Sequence, residues 1–594
     1  MIRTTALLTA LGLALTIPAA TAGAADLLLG ANQRIDGAAA GDAAGRTIAP
    51  AGDVNGDGID DIIIGAPDAD HLGRSFSGAA YVIFGSATPT ATIDLNALGS
   101  RGFVIGGSAA GDSAGASVAG ADDLNDDGYD DVLIGAPDAD FTFRNQSGSV
   151  YVVFGGPSPA DLDLATLGTR GARIDGAAGG DRLGRAVAGA GDVNGDGRLD
   201  VLAGAPLAGG SGAAWVALGP FSGTFDLSTP GSAAYRIDGA VNGDRTGAAV
   251  AGAGDLNADG RDDLLIGAPD AGFNGRGFSG STYVLYGLAS PATVSLASIG
   301  GAGYRIDGAG FAHNSGAAVG TADVNGDDRT DILIGARNAD YNARNDSGSV
   351  YAIFAPGPID LANLGTAGIR VDGGEANALF GASLTALDLN GDSIDDLVGG
   401  AFSADVNSRV DSGAAYVVYG GPTVTNRDLG ATPADRTYDG AAAGDRAGTS
   451  LASLGDVNND AGEDLAIGAP DAGNNGRATS GSGYVVFGDP IEPDPITAPV
   501  PATLTVKARK ASRPIPRTAK VRLVKKVTVG PGQSARISVK VKPKRTKKKV
   551  TVIKRRTTVT LRSKKAPKGR VTVWITAIGT GYTPTTWKRT WRVR

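Results

Sequence analysis

Short apolar runs alternate with turns rich in Gly, Asp and Asn along most of the chain. One unit, residues 34–85, reads RIDG, a Gly/Ala/Asp segment, GDVNGDGIDDIIIGAPDAD and then SGAAYVIFG. Runs of β-branched and aromatic residues between turn formers are typical of strands. The pattern predicts four strands in each unit: a run before the acidic loop, a run after it such as residues 62–64, a third run such as residues 81–84, and the RIDG element.

The unit occurs seven times, with a period near 67 residues. Its acidic loop opens with Asp53, Asp123, Asp192, Asp255, Asp323, Asp388 and Asp456. This period exceeds that of most solenoid repeats and suffices for one four-stranded propeller blade. The sequence therefore predicts an all-β fold, a seven-bladed β-propeller over residues 25–488.

The RIDG element predicts how the ring closes. It also occurs seven times, but its first copy precedes the first acidic loop, and no copy follows the last third strand at residues 484–487. The seventh blade is therefore one strand short. We predict that residues 32–37 supply this strand beside residues 483–487, which closes the ring and removes the exposed edges. An open solenoid of hairpins is the alternative.

Each acidic loop carries side-chain oxygens at positions 1, 3, 5 and 9. The first loop has Asp53, Asn55, Asp57 and Asp61 there, with Gly58 at position 6 and a backbone carbonyl available at position 7. Alternate side chains on a tight turn converge on one point, which suits Ca²⁺ because this cation takes six to eight oxygens. The corresponding predicted ligands in the other loops are Asp123, Asn125, Asp127, Asp131, Asp192, Asn194, Asp196, Asp200, Asp255, Asn257, Asp259, Asp263, Asp323, Asn325, Asp327, Asp331, Asp388, Asn390, Asp392, Asp396, Asp456, Asn458, Asp460 and Asp464.

These loops differ from EF-hand and dockerin loops, which need a ligand at position 12 and flanking helices. Position 12 is Ile64 in the first loop and Ile134 in the second, and both flanks read as strands. In the last three loops Asp328, Ser393 and Ala461 replace the Gly at position 6. A non-Gly residue with positive φ carries strain. We therefore expect up to seven calcium ions, with weaker binding in blades five to seven.

The repeat resembles the FG-GAP repeats of integrin α-subunit N-terminal propellers, in a secreted member of bacterial type. Gly-Ala-Pro occurs at residues 65–67, 135–137, 204–206, 267–269 and 468–470, and a Gly recurs at residues 45, 115, 184, 247, 316, 381 and 448. Among these recurring glycines, only Gly381 is preceded by the Phe of the family's Phe-Gly motif, at Phe380. The resemblance covers residues 32–488. It implies a seven-bladed propeller with calcium on one face and a binding role in adhesion, and related repeats accompany phospholipase-like enzymes.

Composition argues against most enzyme classes. The chain has no Cys and two His residues, His71 and His313, which excludes thiolate metal sites, cysteine nucleophiles and multi-His metal sites. No GxxxxGK[ST] loop occurs, and the one GxSxG, at residues 111–115, and the one GxGxxG, at residues 275–280, lie between strand runs rather than before a helix. The sequence thus shows no catalytic constellation and favours a binding protein.

The N-terminus predicts export. A positive start at Arg3, an apolar stretch over residues 6–17 and small residues before position 25 are typical of a signal peptide, here residues 1–24. Twelve apolar residues are fewer than the roughly 20 needed to span a bilayer. We therefore expect an extracellular protein, free or associated with the cell wall, without a transmembrane span.

Recognition is predicted at the end opposite the acidic loops. In an up-and-down blade the loops between the second and third strands share a rim there, and aromatic and Arg side chains are the usual anchors of recognition surfaces. The predicted ligand-binding residues are Arg74, Phe76, Phe141, Phe143, Arg144, Phe273, Arg276, Phe278, Tyr341 and Arg344. The alternative is that they pack loop against loop. Blade three shortens its loop to residues 207–211, which predicts a notch in the rim.

The charge divides sharply along the chain. Residues 1–501 hold 25 Arg, no Lys and all 62 acidic residues, a formal charge of −37, whereas residues 502–594 hold 29 Lys and Arg and no acid, a charge of +29. Residues 489–501 form a Pro-rich linker. Residues 520–529, 535–542, 550–561 and 570–578 predict strands of a small β-sandwich. Its charge predicts an anionic partner, a cell-wall or surface polymer rather than nucleic acid.

Together these patterns predict a secreted, calcium-binding propeller that binds an extracellular protein or glycan and is anchored to a polyanion by its basic C-terminal domain. The alternatives are a secreted hydrolase acting on phospholipid or glycan, and a lectin. The sequence does not name the ligand.

Overall fold

The computed structural model describes residues 24–290, 292–354 and 357–490, and the backbone of strands between residues 500 and 593. The chain divides into two units, Met1–Ile491 and Glu492–Arg594. The predicted signal peptide, except for Ala24, and most of the predicted linker lie outside the described residues.

The first unit consists of short strands. In chain order they are β1 (Ala24–Asp26), β2 (Gln33–Asp36), β3 (Thr47–Gly52), β4 (Asp61–Ala66), β5 (Ala79–Ile83), β6 (Thr92–Asp94), β7 (Gly102–Gly106), β8 (Ser117–Gly120), β9 (Val132–Ala136), β10 (Ser149–Val153), β11 (Leu162–Asp163), β12 (Gly171–Asp175), β13 (Ala186–Gly191), β14 (Asp200–Ala205), β15 (Ala213–Ala217), β16 (Gly223–Asp226), β17 (Ala234–Asp238), β18 (Ala249–Gly254), β19 (Asp263–Ala268), β20 (Ser281–Leu285), β21 (Val294–Ser295), β22 (Gly303–Asp307), β23 (Ser315–Ala322), β24 (Asp331–Ala336), β25 (Ser349–Ile353), β26 (Ile359–Asp360), β27 (Gly368–Asp372), β28 (Ser383–Leu387), β29 (Asp396–Ala401), β30 (Ala414–Val418), β31 (Arg427–Asp428), β32 (Arg436–Asp439), β33 (Ser450–Ser453), β34 (Leu465–Ala469) and β35 (Ser482–Val486). One α-helical turn, α1 (Leu27–Gly30), follows β1. The 3₁₀ turns are Leu95–Ala97, Gly99–Arg101, Leu164–Thr166, Ala208–Gly210, Leu296–Ser298, Gly300–Ala302, Leu361–Asn363 and Asn474–Gly476.

These strands form seven sheets, which confirms the predicted seven-bladed propeller. Blade one has the order β3-β4-β5-β7-β11, with antiparallel pairs among its first four strands and a parallel pair between β7 and β11. The other sheets, in blade order, are β8-β9-β10-β12-β16, β13-β14-β15-β17-β21, β18-β19-β20-β22-β26, β23-β24-β25-β27-β31, β28-β29-β30-β32-β1 and β33-β34-β35-β2-β6. The RIDG elements are the fourth strands, as predicted.

Each blade has five strands, not the four predicted. The fifth is a short strand that reaches back from the following repeat and pairs in parallel with the fourth strand. In six blades it ends at an Asp. After Asp94, Asp163 and Asp360 the carboxylate accepts the backbone N–H two residues later, and a 3₁₀ turn begins there. The fifth strand therefore ties every blade to its neighbour.

The N-terminus closes the ring with two strands. Strand β2 pairs antiparallel with β35, and Gln33 lies opposite Val485, which confirms the predicted closure. Strand β1 adds a parallel fifth strand to blade six, where Ala24 lies opposite Thr437. The first strands of blades one and seven, β3 and β33, are in contact. The ring has no gap between its first and last blades.

The core lies between the blades. All six residues of β4 and all five of β5 are buried. The middle strands read as continuous apolar runs, rather than alternating ones, because both of their faces are covered by neighbouring blades. The third-strand tyrosines Tyr151, Tyr283, Tyr351 and Tyr484 are among the largest fully buried side chains.

The second unit is also made of strands, whose backbone alone is described. They are β36 (Val500–Pro501), β37 (Leu504–Ala508), β38 (Val521–Val529), β39 (Ser534–Pro543), β40 (Thr551–Arg555), β41 (Thr558–Arg562), β42 (Gly569–Ile578), β43 (Tyr582–Thr583) and β44 (Thr585–Val593). They form a four-stranded sheet β37-β38-β41-β40, a three-stranded sheet β39-β42-β44 and the pair β36-β43. The single strand predicted over residues 550–561 is a hairpin of β40 and β41. A sandwich of these sheets stays a prediction.

Candidate functional site

The acidic loops join the first and second strands of each blade, so all seven lie at one end of the propeller, which we call the lower face. In blade one the Asp53 carboxylate accepts the backbone N–H groups of Gly56, Asp57 and Gly58 at 2.7–2.9 Å. In the other loops the position-1 carboxylate accepts at least two such N–H groups; these residues are Asp123, Asp192, Asp255, Asp323, Asp388 and Asp456. Position 1 therefore organises each loop.

The Asp at position 9 is buried at the base of each loop. The Asp61 carboxylate is inaccessible to solvent and accepts the N–H groups of Val54, at 3.1 Å, and Gly85, at 2.9 Å. Burial, with smaller contributions from the charges of Asp57 and Asp53, raises the pKa of Asp61 to about 8. The other position-9 residues have pKa values raised to about 6 for Asp263 and about 7 for Asp131, Asp200, Asp331, Asp396 and Asp464. A nearby cation would favour their ionised form.

The residues of the loops fit calcium by their chemistry. Three carboxylates, one amide and a backbone carbonyl within nine residues are hard oxygen donors of the kind that calcium takes. In the described part of the chain, however, no group of three or more His, Asp or Glu side chains is arranged to hold a metal ion. The Asp53 carboxylate faces the N–H groups of its own loop instead. Calcium binding therefore stays a prediction.

Position 6 has a left-handed backbone in every loop. The φ angle is 87° at Gly58, and it is 61°, 67° and 72° at Asp328, Ser393 and Ala461. The strain expected at these non-Gly residues is therefore present, while their weaker affinity stays a prediction. Position 4 is also left-handed throughout, at Gly56, Asp126, Gly195, Ala258, Gly326, Gly391 and Asn459. Four glycines there were the signal that the sequence analysis missed.

Position 8 connects one loop to the next, which the sequence analysis also missed. Asp130 of blade two accepts the backbone N–H of Asp53 in blade one at 2.7 Å. Asp60 accepts the N–H of Asp456 at 3.0 Å across the ring closure. The other acceptors of this kind are Asp262, Asp395 and Glu463. Position 8 is Leu199 in blade three and Thr330 in blade five, so two junctions lack the bond. The acidic residue at position 8 of five loops was the sequence signal for these bonds between loops.

The loops between second and third strands lie at the opposite end, which we call the upper face. Its predicted ligand-binding arginines are engaged within their own blades. Arg74 pairs with Asp163 at 2.7 Å, Arg144 with Asp226 at 2.7 Å and Arg276 with Asp360 at 2.6 Å. The same pair joins Arg344 to Asp428, Arg409 to Asp26 and Arg477 to Asp94. Each Arg thus clamps the loop onto the Asp of its blade's fifth strand.

The predicted aromatic residues fall into two groups. Phe141, Phe273 and Tyr341 lie beneath arginines of the fourth strands: the Arg305 guanidinium is 3.4 Å from the ring centroid of Phe273, and that of Arg370 is 3.5 Å from Tyr341. The side chains in the second group are solvent exposed, 58% for Phe76, 102% for Phe143 and 54% for Phe278. The first group therefore packs within a blade, and the second is free for contact.

The tips of the upper loops are two-residue turns with positive φ at both positions. Such turns favour Asn-Gly, as in blades four and seven, where the residues are Asn274-Gly275 and Asn475-Gly476. Blade one has Leu72-Gly73, with Leu72 at φ 50° and 71% exposed. Blade two has Thr142-Phe143, at φ 42° and 66°. Bulky side chains at positive φ are strained, and such strain gathers at functional sites.

Blade three departs from this pattern as its shortened loop predicted. Its 3₁₀ turn, Ala208–Gly210, replaces the hairpin tip. Its fifth strand ends at Ser295 rather than Asp, and that Ser makes no cap hydrogen bond. The Arg–Asp clamp is therefore missing from both sides of the same blade.

The two histidines lie in the upper loops but in different settings. His313 is buried and packs edge-on against Tyr341 with ring centroids 5.3 Å apart, and burial lowers its pKa. Burial and then the charge of Arg74 lower the pKa of His71. Both therefore favour the neutral imidazole.

Known proteins match this chain in its repeats. The model of the FG-GAP repeat matches residues 44–83, 114–153, 183–217, 246–285, 315–353 and 380–418, the first six blades. The chain is 32% identical over 178 residues to integrin alpha-PS2 of Drosophila melanogaster, which covers 29% of this chain and 11% of that protein. It is 32% identical over 239 residues to integrin alpha pat-2 of Caenorhabditis elegans, covering 37% and 17%. It is also 32% identical over 162 residues to phosphatidylinositol-glycan-specific phospholipase D of Bos taurus, covering 27% and 18%.

These similarities concern part of each relative, because the chain spans only 11–18% of their lengths. Among the described residues, no helix combines the length and apolar character needed to cross a membrane.

Proposed function

Because the chain carries a propeller of FG-GAP repeats related to those of integrin α subunits, we propose that it is a secreted adhesion protein that binds an extracellular ligand through its upper face. Calcium in the lower loops stiffens the ring, and the basic residues 502–594 hold the protein on an anionic cell-wall or surface polymer. A hydrolase or lectin built on the same propeller is the alternative.

One observation carries the proposal: the exposed large apolar side chains of the described residues all lie at the upper face. They are Leu72, Phe76, Phe143, Leu207, Val241, Phe278, Phe311 and Val410. All of them lie in loops that join the second to the third strand or the fourth strand to the next blade. Apolar side chains gathered at one end, with a polar opposite end, are typical of an interaction surface.

The strained tips locate the ligand surface more closely. Leu72 lies at the tip of blade one and Phe143 at the tip of the adjacent blade two, and both combine exposure above 50% with positive φ. The fold does not require apolar residues at these turns, because blades four and seven build the same turn from Asn-Gly. We therefore assign the centre of the ligand surface to blades one and two.

The test compares the wild-type chain with the double variant T142N/F143G on arrays of immobilised glycans and extracellular proteins. This variant installs the tip of blades four and seven, so it should fold normally while its binding falls at least tenfold. The reciprocal variant N274T/G275F, which moves the apolar tip to blade four, is the matched control and should not change binding. Unchanged binding by T142N/F143G would contradict the assignment.

The same preparation separates the alternatives. Turnover of phospholipid or glycan substrates that stops when a chelator is added would favour the hydrolase, in keeping with the similarity to the phospholipase D of Bos taurus. Binding confined to glycans would favour the lectin. Binding to a protein without turnover supports the adhesion protein.

A further inference from the structure

A cavity of about 640 Å³ opens at the centre of the upper face. All seven blades line it, each through the residue that follows the recurring Gly near the start of its first strand, at positions 46, 116, 185, 248, 317, 382 and 449. The first strands of neighbouring blades contact one another around the whole ring. The cavity is therefore the upper end of the central channel, and of the exposed apolar side chains assigned above to ligand binding only Leu207 lines it.

Six arginines line this cavity: Arg46, Arg182, Arg185, Arg245, Arg337 and Arg446. They come from five blades, and none of the described residues that form the wall is acidic. The surrounding segment, residues 1–501, carries a charge of −37 from 25 Arg and 62 acids. Nearly a quarter of its cations are thus gathered in one opening.

Only half of these arginines have a carboxylate partner. Arg182 pairs with Asp138 at 3.2 Å, and Arg245 pairs with Asp270 at 3.0 Å. Arg446 lies 3.3 Å from Asp471. Within the described chain, no carboxylate oxygen lies within 4 Å of the guanidinium of Arg46, Arg185 or Arg337. In contrast, each of the six arginines that clamp the upper loops forms an ion pair with an Asp of its own blade.

The unpaired arginines repel one another. Arg185 lines the cavity and is exposed to solvent. The surrounding blades nevertheless desolvate its guanidinium enough to lower its pKa, and the charges of Arg46 and Arg182 lower it further. An anion between these groups would relieve both effects.

The repeats show that the blade does not need these arginines. At the position of Arg46 and Arg185, the other five blades have Ala116, Ala248, Ala317, Ala382 and Thr449. At the position of Arg337, five blades have proline and blade six has Phe402. The same local structure forms with small or apolar residues, so packing of the blade does not explain the positive charge.

We propose that this arginine-lined cavity binds a small molecule bearing two or more phosphate, sulfate or carboxylate groups. A guanidinium donates two parallel hydrogen bonds to such an oxyanion, which an ammonium group does not, and residues 1–501 contain no Lys. The cavity volume lies in the range of small-molecule sites. Arg46, Arg185 and Arg337 are the anchors. The three paired arginines of the cavity add to its positive electrostatic potential. An acidic side chain of a partner protein would present the same chemistry and is an outcome of the test.

The test titrates the full chain, by calorimetry at fixed ionic strength, with three ring compounds that bind calcium weakly and differ only in their anionic groups: benzene-1,3-disulfonate, isophthalate and resorcinol bisphosphate. We expect one site for at least one of them. The matching monoanion should bind at least tenfold more weakly, because it engages fewer guanidinium groups. Equal binding of monoanion and dianion would overturn the proposal, because the attraction of one anionic group to the positive charge would then explain the binding.

Three substitutions that copy other blades test the residues. R46A, R185A and R337P each install a residue that the repeat already carries at that position, and the triple variant should lose at least 100-fold in affinity. R185K keeps the charge but not the paired hydrogen bonds, so it should lose less than R185A. The matched control is R170A, which removes an arginine at the lower face that donates to the carbonyls of Asp161 and Ala160.

Residues 502–594 also attract anions, and this contribution is unaffected by any of these substitutions. Undiminished binding by the triple variant, with an unchanged melting temperature, would assign the anion to residues 502–594 and overturn the proposal. If all three dianions fail while an acidic peptide binds in an Arg46- and Arg185-dependent manner, the occupant is a protein side chain and the small-molecule proposal is wrong.

Discussion

The two faces of the propeller use the same repeat in opposite ways. At the lower face the seven loops share their ligand-type residues, their left-handed positions and, at five junctions, a bond to the next loop. At the upper face only the clamp recurs, as in Arg276–Asp360, while the tips range from Asn274-Gly275 to Thr142-Phe143. In a repeat protein, therefore, the residues that recur build the frame or hold an ion, and those confined to one or two blades are the candidates for recognition.

The largest test removes the element on which both faces depend. Deleting residues 24–36 takes away β1 and β2, so blade six loses its fifth strand and blade seven its fourth. We expect the variant to lose cooperative thermal unfolding and to aggregate through the exposed edge of β35. Deleting residues 1–22 is the control and should leave the melting curve unchanged, since β1 is retained. A cooperative transition in the longer deletion would mean that the ring does not need β1 and β2.

Chelation tests the lower face alone. Binding only to the folded state contributes about 1.4 kcal/mol per site at ten times Kd, or about 10 kcal/mol for seven sites. EDTA should therefore lower the melting temperature strongly, and calorimetric titration should show several calcium equivalents, the weakest belonging to the loops with Asp328, Ser393 and Ala461. A stoichiometry near zero would remove calcium from the lower face, and with it half of the contrast between the faces.

A single link tests whether the lower loops act together. Asp60→Ala leaves the backbone N–H of Asp456 without its carboxylate acceptor, and losing a hydrogen bond to a charged group should cost about 1.5 kcal/mol. Thr330→Ala changes the same repeat position where no link exists, so its unfolding free energy should change by less than about 0.5 kcal/mol. Urea denaturation of both variants measures the difference. Equal effects would show that the bond between loops contributes nothing.

The smallest effect belongs to the upper clamp. A double-mutant cycle with Arg276→Ala and Asp360→Ala should give a coupling energy of about 1 kcal/mol, since the pair is only partly buried. Ligand binding should not change, because both side chains are engaged with each other. If Arg276→Ala abolished binding at unchanged stability, the clamp would prove to be part of the recognition surface.

The sequence predicts the parts of this fold that repeat strongly. The period, the seven blades and the pairing of β2 with β35 all follow from counting the acidic loops and the RIDG elements. The fifth strand was missed because it is only two to four residues long. Its one signal is an Asp or Ser followed by Leu before a turn, at residues 26, 94, 163, 226, 295, 360 and 428. Strand propensity is not informative over so few residues.

The candidate site was predictable only in part for a different reason. The sequence shows that Arg74 and Arg46 are both cations, but it does not distinguish a paired guanidinium from an unpaired one. That difference depends on Asp163, which lies 89 residues from Arg74 along the chain and belongs to a strand that the sequence analysis did not predict. Long-range ion pairs of this kind become visible only when the sheet order is known.

Closure of the ring by β1 and β2 also sets the order in which the chain can fold. Strands β1 and β2 are synthesised first, yet their partners lie near the other end of the propeller: Asp36 accepts a hydrogen bond from Ser482, 446 residues away. Closing so long a loop in an unfolded chain would cost about 5 kcal/mol of entropy. Once the intervening blades have formed, the two ends lie side by side and this cost disappears. The first strands of the propeller to be synthesised are thus the last to pair, so the ring remains open until its final blade has been made.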